Sequence, residues 1–175
     1  MPQLKIAAAL AIAIVLQLSL GGVWPPLSYI DFPLIVVVYI ALQRHAWQAL
    51  IVGTIAGLAI DGPSGGLIGA GGFSKTLTAY LIYFLATRVK LENTLLRIPV
   101  LAAATLIDSA IYFFWQRSLG HPPTMPFMQT ISYNVIGTTI VGTFAFYLLD
   151  SLFTERARQR RTFASRRKGA RRGKR

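Results

Sequence analysis

The chain has 175 residues, of which 54% are hydrophobic and only 14% charged, with no cysteine and a formal net charge of +12. A soluble domain carries about 25% charged residues. That deficit, with the apolar residues gathered in long blocks, excludes a disordered chain, a disulfide scaffold and a soluble globule. The lack of cysteine also excludes a thiolate-held zinc or iron–sulfur centre and a cysteine nucleophile. What remains is a small membrane protein.

The charge is unevenly placed. Residues 1–154 hold seven Lys/Arg and five Asp/Glu, whereas residues 155–175 hold eleven Lys/Arg and one Glu. The expected organisation is therefore a nearly neutral transmembrane domain, 1–154, followed by a basic cytoplasmic tail, 155–175, whose composition reads as disordered.

Crossing the hydrocarbon takes about 20 mostly apolar residues. The first such stretch runs from Ile6 to Trp24, behind Lys5, and is stopped by Pro25 and Pro26. It is long for a signal peptide and lacks a small-x-small cleavage site, so a retained helix is the better reading. A second stretch runs from Pro26 to Leu42. Its β-branched centre could be a strand in water, but an open sheet edge is not viable in lipid, so a helix is expected.

Trp47 to Ile60 gives a third, shorter stretch, broken by the segment Asp61-Gly-Pro-Ser-Gly-Gly66. A fourth covers about Gly69 to Thr87 and contains Lys75. The fifth runs from Ile98 to Gln116 with Asp108 near its middle, and the sixth from Met128 to Phe153. With the N-terminus inside, sixteen Lys/Arg fall on the inner side against at most two outside, the distribution that cytoplasmic loops favour. The predicted fold class is thus an all-α integral membrane bundle of about six helices with both termini cytoplasmic. Its two halves show no internal similarity, which weighs against an inverted-repeat transporter.

Few residues carry candidate chemistry. Asp61, at the end of the third helix, reads best as an acid bonding the backbone of its own glycine-rich turn. The sharper alternative is a substrate or proton site, with Lys75 as its ion-pair partner. Asp108 would be costly as an unpaired charge at mid-bilayer. It should face the interior and be neutral or partnered, with Ser109, Asn134, Thr138 and Thr139 as the polar groups available. A structural, hydrogen-bonded acid is the favoured reading, ahead of an interaction site or transport.

His45 and His121 fall in loops on opposite sides, and no metal-ligand cluster, catalytic triad or phosphate-binding loop of the required spacing is present. No enzyme, metal or cofactor is expected. Gly53-x-x-x-Gly57 permits close helix approach, and Gly62, Gly65, Gly66, Gly69, Gly71 and Gly72 extend the small-residue region. In the tail, Arg160, Arg161, Arg166, Arg167, Lys168, Arg171 and Arg172 are expected to contact anionic lipid or an acidic partner. Phe163 is the tail's one aromatic residue, too few for base stacking, so no nucleic acid is expected.

The run Phe32 to Leu42 with Arg44 resembles the second helix of the rod shape-determining protein MreD family. The block Gly53-x-x-x-Gly57-Leu58-x-x-Asp61, then Ser64-Gly65-Gly66-x-x-Gly69 and Gly72-Phe73-Ser74-Lys75-Thr76-Leu77, is similar to that family's glycine/Asp/Lys pattern over about residues 30–85. The resemblance implies a non-enzymatic subunit of the cell-elongation machinery in the bacterial inner membrane, multi-pass, helping to maintain cell shape. Its implied partners are MreC and, directly or indirectly, the MreB cytoskeleton and elongation-specific peptidoglycan synthases. It implies no catalytic residues; Gly53, Gly57, Asp61, Gly65, Gly66 and Gly69 map onto the pattern as packing or partner-contact positions. The basic tail lies outside it.

The main alternative is a substrate-binding membrane subunit of a vitamin-type uptake system, against which the thin set of interior polar groups argues. A lipid-metabolising membrane enzyme is disfavoured by the lack of a His or paired-carboxylate cluster. On the scaffold reading, the glycine-rich third and fourth helices are expected to form a docking face for a partner's transmembrane helix.

Overall fold

The computed structural model describes the backbone of residues 2–23, 25–63, 68–89, 94–119 and 127–172, and side chains over most of these as far as Ser151. Within the described residues the chain is all-helical: α1 (Pro2–Val23), α2 (Phe32–Leu42), α3 (Ala46–Asp61), α4 (Ala70–Arg88), α5 (Thr94–Ser118) and α6 (Phe127–Arg172), with a 3-10 turn at Pro25–Tyr29 and no strand. Among the described residues, three segments are long and apolar enough to cross a membrane, Gln3–Leu20, Leu96–Ser118 and Met128–Ser151. Shorter apolar helical segments cover Leu27–Leu42 and Ala46–Asp61.

The stretch from Pro26 to Leu42, expected as one continuous helix, is instead two pieces. Asp31 separates them: its Oδ1 accepts the Leu34 N–H at 2.9 Å, and proline occupies the first turn of α2. A side-chain acceptor at the cap and a proline just inside it are the two features that start helices. The eleven residues of α2 span only about 16 Å, roughly half the hydrocarbon thickness.

That short helix is the centre of the bundle. Every residue from Pro33 to Ala41 is buried, as befits a helix that is apolar all round. The β-branched run Val36-Val37-Val38 is helical, in line with the lipid-based expectation. Helices α1, α3, α4 and α5 all pack on α2. From α1, Ile6, Leu10 and Ala13 face inward while Ile12, Val15 and Leu16 are exposed, a seam at helical spacing. One turn beyond Ala13, the Gln17 side-chain oxygen Oε1 accepts the Phe32 N–H at 3.1 Å.

Helix α5 turns Val100, Leu101, Ala104, Thr105 and Asp108 inward, the i, i+1, i+4, i+5, i+8 pattern of one helical face. At α6, Gly142 lies against Leu101 and Ile35, and Gly137 beneath Ile30. Arg44 closes the α2–α3 turn with φ 63°, and its guanidinium donates to the Val89 carbonyl at the end of α4 at 3.4 Å.

The residues divide into two compact units, Met1–Thr143 and Phe144–Arg175. The second is the C-terminal part of α6, in which Phe146 and Leu149 are buried. Its backbone is helical to Arg172. Arg, Lys and Ala are good helix formers, and Gly169 is the one strong breaker in the run.

Candidate functional site

The most closely built contact lies between α3 and α4. Ala49, Val52, Gly53, Ala56 and Gly57 form a stripe of small buried side chains on α3, which brings the two backbones together as small-xxx-small stripes do. A Cβ on Gly57 would overlap the Gly71 carbonyl and the Gly72 nitrogen, and one on Gly53 would sit 3.0 Å from the Lys75 carbonyl oxygen. The Gly53/Gly57 side of α3 is thus covered by α4 of the same chain, so these glycines pack within the bundle. Gly65 and Gly66 lie outside the described residues.

Close approach delivers Asp61 to the start of α4. Its Oδ2 accepts N–H groups from Gly69 at 2.8 Å, Gly71 at 3.0 Å and Gly72 at 3.2 Å, and its Oδ1 lies 3.1 Å from the Gly71 nitrogen. The first N–H groups of a helix have no intrahelical acceptor, and the helix dipole favours an anion there. Asp61 therefore serves the backbone of its own turn and is only 3% exposed. The turn closes because Gly69 adopts φ 98°, a left-handed conformation that glycine enters without steric cost.

Lys75 does not pair with Asp61. One turn into α4, its ammonium bonds Asp31 Oδ2 at the head of α2 and Asp108 Oδ2 on α5, the latter at 3.1 Å. Ser74 Oγ stands 2.8 Å from Asp108 Oδ1 and 3.2 Å from the Gly71 carbonyl oxygen. The Lys75 and Asp108 side chains are 7% and 8% exposed, and that of Asp31 is 26% exposed. Asp31 extends the network to α6, since its backbone N–H donates to Thr138 Oγ1 at 3.0 Å. A single lysine thus joins α2, α4 and α5, and one further bond reaches α6.

Of the polar groups expected to meet Asp108, none is among its partners in the described residues. Thr138 serves Asp31, Thr139 Oγ1 is buried without a hydrogen bond, and Asn134 is half-buried one turn before Thr138. Sequence reasoning missed Asp31 and Ser74 as partners. The signal for Asp31 was present, because Asp31-Phe32-Pro33 is a cap followed by an early proline. Ser74 had appeared only within the family pattern, with no role of its own.

Each acid in this core is met by a helix N-terminus, an ammonium or a hydroxyl. No group of three or more His, Cys, Asp or Glu suited to a metal occurs among the described residues. The tail side chains, including Arg160, Arg161, Arg166, Arg167, Lys168, Arg171 and Arg172, lie outside the described residues.

A bundle of apolar helices, locked by a glycine contact and a buried ion cluster, defines the class: an all-helical membrane protein. The family model for rod shape-determining protein MreD matches residues 3–155, and the chain belongs to that family. No curated protein and no solved structure matches it. The protein is therefore a rod shape-determining membrane protein, of a family that is structural in its role.

Proposed function

We propose that the protein is a non-enzymatic, multi-pass subunit of the bacterial inner membrane that acts with MreC to organise peptidoglycan synthesis during cell elongation. The observation that carries this reading is the family match over residues 3–155, nearly the whole transmembrane domain. The internal chemistry supports it: Asp61, Lys75 and Asp108 are joined to groups of the same chain, an arrangement suited to holding a shape. MreB filaments and the elongation-specific synthases are then reached directly or through MreC.

On this reading six helices thread the membrane, with α2 and its preceding 3-10 turn, α3 and α4 nested against the three longer ones. Both termini are cytoplasmic, following the excess of Lys and Arg assigned to that side. The basic tail lies on anionic lipid, each cation near the surface adding about 1 kcal/mol. Because α4 covers the glycine stripe, a partner helix meets another face of the bundle.

Depleting the protein in its native host and following cell outline tests the role. Rod-shaped cells should round up and recover on re-expression; unchanged rods with a fully depleted protein would contradict it.

A further inference from the structure

The hydrogen and charge balance around Lys75 assigns a proton to Asp108. Asp31 receives two unambiguous donors, the Leu34 N–H and the Lys75 ammonium. Both Asp31 oxygens are thus met by donors, and its side chain is 26% exposed against 8% for Asp108, so a negative charge is better placed on Asp31. Asp108 receives only one such donor, Lys75. Its other oxygen faces Ser74 Oγ at 2.8 Å, and that hydroxyl also has the Gly71 carbonyl oxygen at 3.2 Å.

A serine hydroxyl carries one hydrogen. The Gly71 carbonyl can only accept. If Ser74 donates to it, then the short Ser74–Asp108 contact needs its hydrogen from Asp108. A three-centre bond from Ser74 to both acceptors would instead leave two carboxylates facing one ammonium. That is one uncompensated negative charge among buried groups of a membrane domain, where charge is expensive. Among the described residues, the charged groups at the site are Lys75 of α4 and Asp31 ahead of α2, with Asp61 of α3 at the start of α4. Asp61 is already held by the α4 N-terminus. Tyr112, one turn further along α5, is neutral in its ordinary state.

We infer that Asp108 is a carboxylic acid donating to Ser74, that Asp31 and Lys75 form the ion pair, and that Asp108 is the proton-binding site of this membrane domain. The bound ligand is a proton, and Asp31, 26% exposed, is the more accessible carboxylate of the cluster. Losing the proton would leave the Ser74 hydroxyl as the one hydrogen shared by Asp108 Oδ1 and the Gly71 carbonyl, while the Asp31–Lys75 pair persists.

Infrared spectroscopy of the full-length protein in lipid nanodiscs at neutral pH tests this, with carboxyl-labelled aspartate to isolate aspartate signals. The expected spectrum holds a protonated-carboxyl band that moves with the label and on deuteration, and that disappears in Asp108→Asn. Asp31→Asn should also remove it, because Asp108 then becomes the only carboxylate available to Lys75. This second variant keeps the test decisive if Asp108→Asn does not fold. Absence of the band from the unaltered protein, or its survival in either variant, overturns the assignment.

Discussion

Gly57 of α3 and Gly71 of α4 lie so close that a methyl group on Gly57 would overlap the Gly71 carbonyl. The same approach places Asp61, one turn after Gly57, over the free N–H groups that open α4. Packing and electrostatics are therefore one device: without the glycines the acid would not reach its donors.

Substitution of Gly57 by alanine should consequently be worse than a surface change. The obstacle is backbone, so α3 and α4 must separate and Asp61 must withdraw with them. A loss of about 2–4 kcal/mol is expected, at the upper end for point mutants. Thermal unfolding of the detergent-purified variant checks this; Gly53→Ala, with 3.0 Å of clearance, should cost less. Equal melting of both variants and the parent would contradict the contact.

Asp61 provides a second test. Asp61→Ala leaves buried N–H groups of Gly69, Gly71 and Gly72 without an acceptor, and hydrogen bonds to a charged group contribute about 1.5–3 kcal/mol. Asp61→Asn keeps one acceptor oxygen and should lie between alanine and the parent. Limited proteolysis near residue 63 reads the same effect locally, with faster cleavage in the alanine variant.

Lys75 is expected to behave as half of a buried pair. Lys75→Met leaves Asp31 without its cation, and breaking such a pair from one side costs about 3–5 kcal/mol. Adding Asp31→Asn should recover much of that loss, because the stranded charge is gone. Exchanging Lys75 with Asp61 should rescue nothing, since the two are not partners. Melting temperatures of the single and double variants decide the matter, and additive losses for Asp31→Asn and Lys75→Met would contradict the pairing.

Truncation after Thr154 removes eleven of the eighteen basic residues. On the proposed lipid-contact role, the truncated protein should keep its melting temperature yet retain fewer anionic phospholipids through purification. Mass spectrometry of the bound lipid measures this, and undiminished retention would remove that role from the tail.

How far the sequence alone reached depended on the range of the interaction. Hydropathy blocks located all six helices, because crossing or packing in lipid demands long apolar runs. The backbone-bonding reading of Asp61 was also legible, its glycine-rich turn being adjacent in the chain. The Lys75–Asp108 and Lys75–Asp31 contacts were not, because they join residues 33 and 44 positions apart and their geometry depends on how α2 sits between α4 and α5. Asp31 was passed over because an apolar count averages it into a span, although its proline neighbour marks a helix start. The glycine stripe announced a close neighbour without identifying it; only the fold shows that α4 fills the place.

The central claim is that this membrane bundle serves the cell-elongation machinery. Purifying the tagged protein from its native host in mild detergent, and identifying what accompanies it, tests that most directly. The account predicts recovery of MreC together with peptidoglycan synthases. Recovery instead of an ATPase pair with a coupling membrane subunit, and no MreC, would contradict it and place the bundle in solute uptake.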